Sequence, residues 1–167
     1  MADIPDSDKR HEMEFHLRLR HASSSRVLKL LQHYGYCKQR TQLGFQNALN
    51  GLLTGKIDLL YRHAGKIHIV DYKSNSLAAY DDAALQGSIR DREYDLQYLL
   101  YTIAVQRWLR LRMPAFDYRR HFGGVRYLYA RGIEAESPGS GVFQDYPDPE
   151  LIAALDACFD GEDIGND

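Results

Sequence analysis

Cysteine is nearly absent: Cys37 and Cys158 are the only two in 167 residues. That excludes a disulfide framework and a four-thiolate zinc site, and it points to a reducing compartment. Long apolar runs are missing as well. No stretch approaches the roughly 18 residues that a membrane span needs, and the opening MADIPDSDKR has no signal-peptide core. The expectation is a cytoplasmic domain with no membrane association. Neither charge sign dominates, since 21 Lys and Arg against 23 Asp and Glu leave a formal net charge of −2. This argues against a protein that coats nucleic acid by bulk charge, but it leaves room for a local basic surface. Repeats and low-complexity tracts are also lacking. What is present is globular in character, 44% apolar and 26% charged, in a chain long enough to bury roughly two-thirds of its unfolded surface without a staple. Tyrosine is abundant: twelve residues against six Phe and one Trp, an inventory suited to polar, partly wet sites.

The ends read as tails, residues 1–10 and the acidic 161–167, around one domain over 11–160. From His11 to Leu19 apolar and polar residues alternate, with Met13, Phe15, Leu17 and Leu19 on one side, as in a half-buried strand. Serines 23–25 offer caps for a helix carrying Val27, Leu28, Leu30 and Leu31, stopped at Gly35. Residues 38–50 have no clear period, with Leu43 and Phe45 as isolated anchors. GLLTGKIDLLYRH and KIHIVDYKSN, joined by Ala64-Gly65, predict a hairpin. Residues 77–93 read as loop or short irregular helix. A long helix is predicted over Tyr94–Arg112, ended by Pro114. HFGGVRYLYARG predicts a further strand, and ELIAALDACF a last helix. The order β, α, β, β, α, β, α implies an α/β fold, a central mixed sheet flanked by helices.

If Ala64-Gly65 form a two-residue turn, the register pairs residues whose numbers sum to 129. Asp58 then faces Asp71, with Cβ atoms roughly 5 Å apart. Lys73 points to the same face, two residues on. Two ionised carboxylates at that distance repel by about 3 kcal/mol at an effective dielectric of 20. Lys73 alone can offset this, as in a surface Asp–Lys–Asp cluster. A divalent cation such as Mg²⁺ does so better, since it takes carboxylate and carbonyl oxygens. A register slip of one residue would separate the acids. Further on, Arg107, Arg110, Arg112, Arg119, Arg120, Arg126 and Arg131 stand against one acid, Asp117. They form either a phosphate-tracking surface or a solvated helix face with a protein contact.

GKIDLLYRHAGKIHIVDYKSN, YDLQYLLYTIAVQRWL and HFGGVRYLYARG, in this order, resemble the RecB-type nuclease domains of the PD-(D/E)XK superfamily. The likeness runs from about Glu12 to Phe159. The resemblance implies a restriction-endonuclease-like fold in which the hairpin is catalytic. It implies that Asp58, Asp71 and the backbone carbonyl of Tyr72 ligate Mg²⁺, or Mn²⁺, and that Lys73 is the catalytic lysine. Glu12, in HEMEF, falls where the family carries an active-site glutamate. Gln97 and Tyr101 match a Gln-xxx-Tyr helix motif that lines the site and steadies DNA. The family's upstream metal-ligand histidine finds no match among the seven histidines, so the domain is expected to be N-terminally incomplete relative to the family. No Walker-type GxxxxGK[ST] run occurs, and helicase activity is not expected here. The implied function is a Mg²⁺-dependent DNA nuclease of the exodeoxyribonuclease V type in double-strand break repair, with DNA and RecC-like and RecD-like subunits as partners. The alternative is a nuclease-fold binding module that docks RecC or recruits RecA.

Overall fold

Alternation builds the first strand: in β1 (Lys9–Leu19) Met13, Phe15, Leu17 and Leu19 are buried and the residues between them exposed. The computed structural model describes residues 4–20, 22–43, 51–134 and 139–160. Phe45 and the acidic tail over 161–167 lie outside the described residues. β1 begins before residue 11, and Asp6–Asp8 form a 3₁₀ turn ahead of it. The expected tail over 1–10 is therefore shorter than drawn. The long β2 (Gly51–His63) supplies partners for Lys9 and Arg10, and Arg62 pairs with Asp8.

Helix α1 (Ser24–His33) starts on Ser23, whose hydroxyl accepts the Arg26 amide at 3.4 Å. β2 and β3 (Lys66–Lys73) form the hairpin, and every pair from Leu59↔Val70 to His63↔Lys66 sums to 129. Ala64 and Gly65 take φ of 49° and 76°, the left-handed pair that a type I′ turn requires. Residues 77–93, expected as loop or irregular helix, contain the regular helix α2 (Asp82–Asp91), whose N-terminus is capped by Asp81 accepting the Ala84 amide at 2.9 Å. Helix α3 (Tyr94–Arg112) has the predicted bounds. The short α4 (Tyr118–His121), capped by Asp117, leads into β4 (Phe122–Tyr129). β5 (Val142–Asp145), too short to show a period, precedes α5 (Pro149–Asp160).

The strands lie in the order β1-β2-β3-β4-β5. Only β3 and β4 run parallel, joined by the α2–α3 crossover; the other neighbours are antiparallel. The sheet is mixed, with flanking helices, as the element order implies. Its main core joins Phe15, Ile57, Leu60, Ile69, Val125 and Tyr127 to apolar residues of α1, α2, α3 and α5. A smaller cluster of Leu59, Tyr61, Val70 and Leu128, with Ile4 and Val142 against it, lies on the opposite face. Among the described residues no helix is long and apolar enough to cross a membrane.

Candidate active site

Ile57 and Leu60 both belong to the main core, while Leu59 and Tyr61 belong to the opposite cluster. A strict period of two would put 57, 59 and 61 together. The phase therefore reverses at Asp58. On β1 the register passes from His11↔Leu59 to Met13↔Ile57 and leaves Glu12 and Asp58 unpaired between them. Glu12 has φ of 51°, a conformation that strands avoid and local bulges use. Each strand thus carries one extra residue at the same level.

The hairpin ladder ends there. Beyond Leu59↔Val70, the Tyr72 amide donates to the Asp58 carboxylate (Oδ2, 2.8 Å). β3 loses its β2 neighbour but keeps β4, with Asp71 beside Tyr127 and Lys73 beside Tyr129. Asp71 is 4% exposed, and its Oδ2 lies 2.6 Å from Lys73 Nζ. Burial raises the Asp71 pKa, contacts with Lys73 oppose the rise, and the Asp58 charge adds to it. Burial, not the like charge expected from the register, is the larger cause.

Lys73 is held on several sides. Its ammonium donates to Gln97 Oε1 at 3.0 Å and lies 3.8 Å and 4.7 Å from the ring centroids of Tyr94 and Tyr127. The Tyr127 hydroxyl donates to the same Gln97 oxygen at 2.7 Å. Tyr101 sits close enough to Asp71 and Asp58 that both charges, after burial, raise its pKa. It keeps its proton at neutral pH and remains a hydroxyl donor. The structure thus brings together Asp58, Asp71, Lys73, Gln97 and Tyr101, with Tyr72 as backbone.

Glu12 is the exception. Its side chain is 73% exposed and pairs with Lys56 at 3.3 Å. Among the described residues no three His, Cys, Asp or Glu side chains converge as a metal cluster. The bulge turns the Glu12 carboxylate to solvent, away from Asp58 and Asp71, although its backbone sits level with Asp58. Sequence reasoning missed Tyr94 and Tyr127 as the walls around Lys73. Tyr94 stands three residues before Gln97, on the same helix face, which was the available signal; Tyr127 reaches the site only through the parallel β3–β4 register.

Two carboxylates and a carbonyl are hard oxygen donors, so this set fits a divalent ion of the Mg²⁺ or Mn²⁺ kind better than a thiolate-seeking metal. A family model described as the PD-(D/E)XK nuclease superfamily matches residues 3–158. Members of that superfamily generally use divalent metal ions. The chain is 41% identical over 167 aligned residues to the RecBCD enzyme subunit RecB of Haemophilus influenzae, covering 95% of this chain and 13% of that protein. To the RecB subunit of Escherichia coli it is 44% identical over 68% of this chain and 10% of that protein. To that of Mycobacterium tuberculosis it is 37% identical over 67% of this chain and 11% of that protein. The chain therefore spans about a tenth of the length of these relatives.

Proposed function

The chain belongs to the PD-(D/E)XK nuclease superfamily, and on that premise we propose that it is a Mg²⁺-dependent DNA nuclease domain of the exodeoxyribonuclease V type. The carrying observation is the end of the β2–β3 ladder, where a buried Asp71 meets Lys73 and the neighbouring Asp58 holds the Tyr72 amide. Asp58, Asp71 and the Tyr72 carbonyl would hold the ion, with Mn²⁺ as a substitute. When bound, such an ion offsets charge on a phosphodiester and lowers the pKa of an attacking water.

The chain's own residues supply the rest. Lys73, fixed by Gln97 and two tyrosine rings, presents a positive charge where negative charge develops on phosphorus. Tyr101, kept protonated by burial beside two acids, offers its hydroxyl to a phosphate oxygen. Gln97 lies between the two, accepting from the Lys73 ammonium four residues before Tyr101 on the same helix face. The buried walls limit water around Asp71 and strengthen these interactions.

The relatives are subunits of the RecBCD enzyme, which favours DNA and RecC-like and RecD-like subunits as this domain's partners. The test is cleavage of single-stranded DNA with and without Mg²⁺, with Lys73→Ala as control. Mg²⁺-dependent cleavage that the variant loses supports the reading. A protein that binds a RecC-like subunit or RecA yet never cuts would overturn it in favour of a binding module.

A further inference from the structure

The seven arginines between Arg107 and Arg131 do not form one surface. Arg107 and Arg110 bind Asp156, and Arg107 also reaches Asp160. Arg126 donates to the Tyr61 hydroxyl and Arg131 to the Ser74 carbonyl. Arg112 is different. Its guanidinium lies 4.6 Å from the Trp108 ring centroid, and that of Arg10, from β1, lies 5.5 Å from the same ring. Both arginines are exposed, and among the described residues neither has a carboxylate partner.

They border a cleft of about 360 Å³ that Lys9, Arg62, Trp108 and a single acid, Asp8, also line. Asp8 is already bonded to Arg62 at 2.6 and 2.9 Å, and Lys9 to Asp6 at 3.2 Å. Arg10 and Arg112 are left as two uncompensated cations on one indole. Cation–π contact orients a guanidinium through its face and leaves its N–H edges free. Those edges match a phosphate bidentately, which a lysine ammonium does not.

Position says which phosphate. Arg10 pairs with Leu60, two residues along β2 from Asp58, or about 7 Å at 3.3 Å per residue. Trp108 lies seven residues beyond Tyr101 on α3, about 10 Å at 1.5 Å per residue. A backbone with one phosphate per roughly 3.4 Å of duplex strand covers such a distance within about three nucleotides. We propose that Arg10 and Arg112, held on Trp108, grip the phosphodiester backbone of a DNA strand whose neighbouring linkage occupies the catalytic cluster. This deepens, and rests on, the nuclease reading above.

Trp108 is the chain's one tryptophan, so emission excited beyond the absorption of the twelve tyrosines reports on this cleft alone. A fluorescein-labelled oligothymidylate is titrated in EDTA, with anisotropy and Trp108 emission followed together over a range of salt. The expected result is a saturable emission change that tracks the anisotropy. In Arg10→Ala/Arg112→Ala the affinity should fall about tenfold or more, and the slope of log K against log salt should shrink by about 1.4, for two single-strand phosphates. Arg10→Lys/Arg112→Lys should recover the slope but only part of the affinity. Hydrolysis of thymidine 5′-(p-nitrophenyl phosphate), which has no neighbouring linkage, should be equal in all three proteins. Binding with silent Trp108 emission and an unchanged slope in the alanine variant would overturn the anchor and leave the nuclease reading intact. Equal affinity for polyglutamate would mark the cleft as an acidic-protein site and also overturn it. A wild-type protein that neither binds nor cuts DNA would overturn both readings.

Discussion

At the turn end of the β2–β3 hairpin, each residue from Leu59 to His63 has a ladder partner between Lys66 and Val70. At the open end the next contact is a carboxylate, Asp58, accepting the amide of Tyr72. The turn end buries an uncharged ring rather than an ion pair. His68 stacks on Tyr61 with ring centroids 4.7 Å apart, and burial, followed by the charge of Arg126, lowers its pKa to about 4. The open end gathers charge in an equally buried setting, with Asp71 against Lys73. Backbone pairing satisfies the main-chain groups of these residues, although the buried His68 Nδ1 is left without a hydrogen-bond partner. Where a side chain takes over the pairing, at the level where β1 and β2 each carry an extra residue, carboxylates enter the sheet interior.

The largest effect should come from the open end. Lys73→Ala removes the cation beside Asp71 and is expected to lower the cleavage rate by about 10²–10³, the range for losing one preorganised electrostatic group. Single-turnover cleavage at saturating Mg²⁺ checks this. A residual rate within a few-fold of wild type would show that the ammonium is only Asp71's structural counter-ion.

The turn end should respond in stability instead. A Cβ on Gly123 would lie 2.2 Å from the His68 ring, which stacking on Tyr61 holds in place. Gly123→Ala is therefore expected to cost about 1–3 kcal/mol by overpacking, with hydrolysis per folded molecule unchanged. Denaturant melts paired with activity measured well below the midpoint separate the two effects. A stable but inactive variant would mean that the two ends communicate.

The same contrast explains what the sequence revealed. Alternation located Met13, Phe15, Leu17 and Leu19 correctly, and the Ala64-Gly65 turn set the register, because both belong to regular ladder. The phase reversal at Asp58 was not legible. Ile57, Leu59, Leu60 and Tyr61 are all apolar, so the run hides which residues change face. α2 reads only as loop or short irregular helix because its sequence is polar and glycine-bearing, although Leu85, Ser88 and Ile89 have helical spacing and Asp81 supplies a cap. In the site, turn arithmetic placed Asp58 opposite Asp71, but the ladder stops at Leu59↔Val70 and Asp58 accepts the Tyr72 amide instead. The cage around Lys73 was not legible, since Tyr127 arrives through a parallel crossover that no local pattern specifies.

A gentler probe of the open end is Asp71→Asn in EDTA. Burial raises the Asp71 pKa above its unfolded value, so the metal-free fold binds this proton more tightly than the unfolded chain does. The stability associated with that proton is fully present below the unfolded pKa and is lost as pH rises through the folded one. Asn cannot ionise, so the variant should melt at or above the wild-type temperature near neutrality, and the gap should close toward about pH 4. A gap that widens on acidification would mean that the Lys73 contact outweighs burial.

The smallest expected effect belongs to Glu12, level with Asp58 in backbone but not in side chain. Its pairing with Lys56 joins two side chains that are 73% and 46% exposed, and pairs of that kind contribute between nothing and about 1 kcal/mol. Glu12→Gln should therefore change stability by no more than about 0.5 kcal/mol and leave cleavage within about twofold, because no catalytic contact is lost. Glu12→Gly probes the backbone instead. It relieves a left-handed φ of 51°, worth about 1 kcal/mol for a residue with a Cβ, but adds about 0.5–1 kcal/mol of unfolded-state entropy. The two nearly cancel, so this variant too should melt close to wild type. If Glu12→Gln instead lowered cleavage about a hundredfold with the melt unchanged, the carboxylate must swing from Lys56 into the gap above Asp58 when substrate or metal arrives. The bulge would then be a pivot for a third acid rather than a device that turns it away.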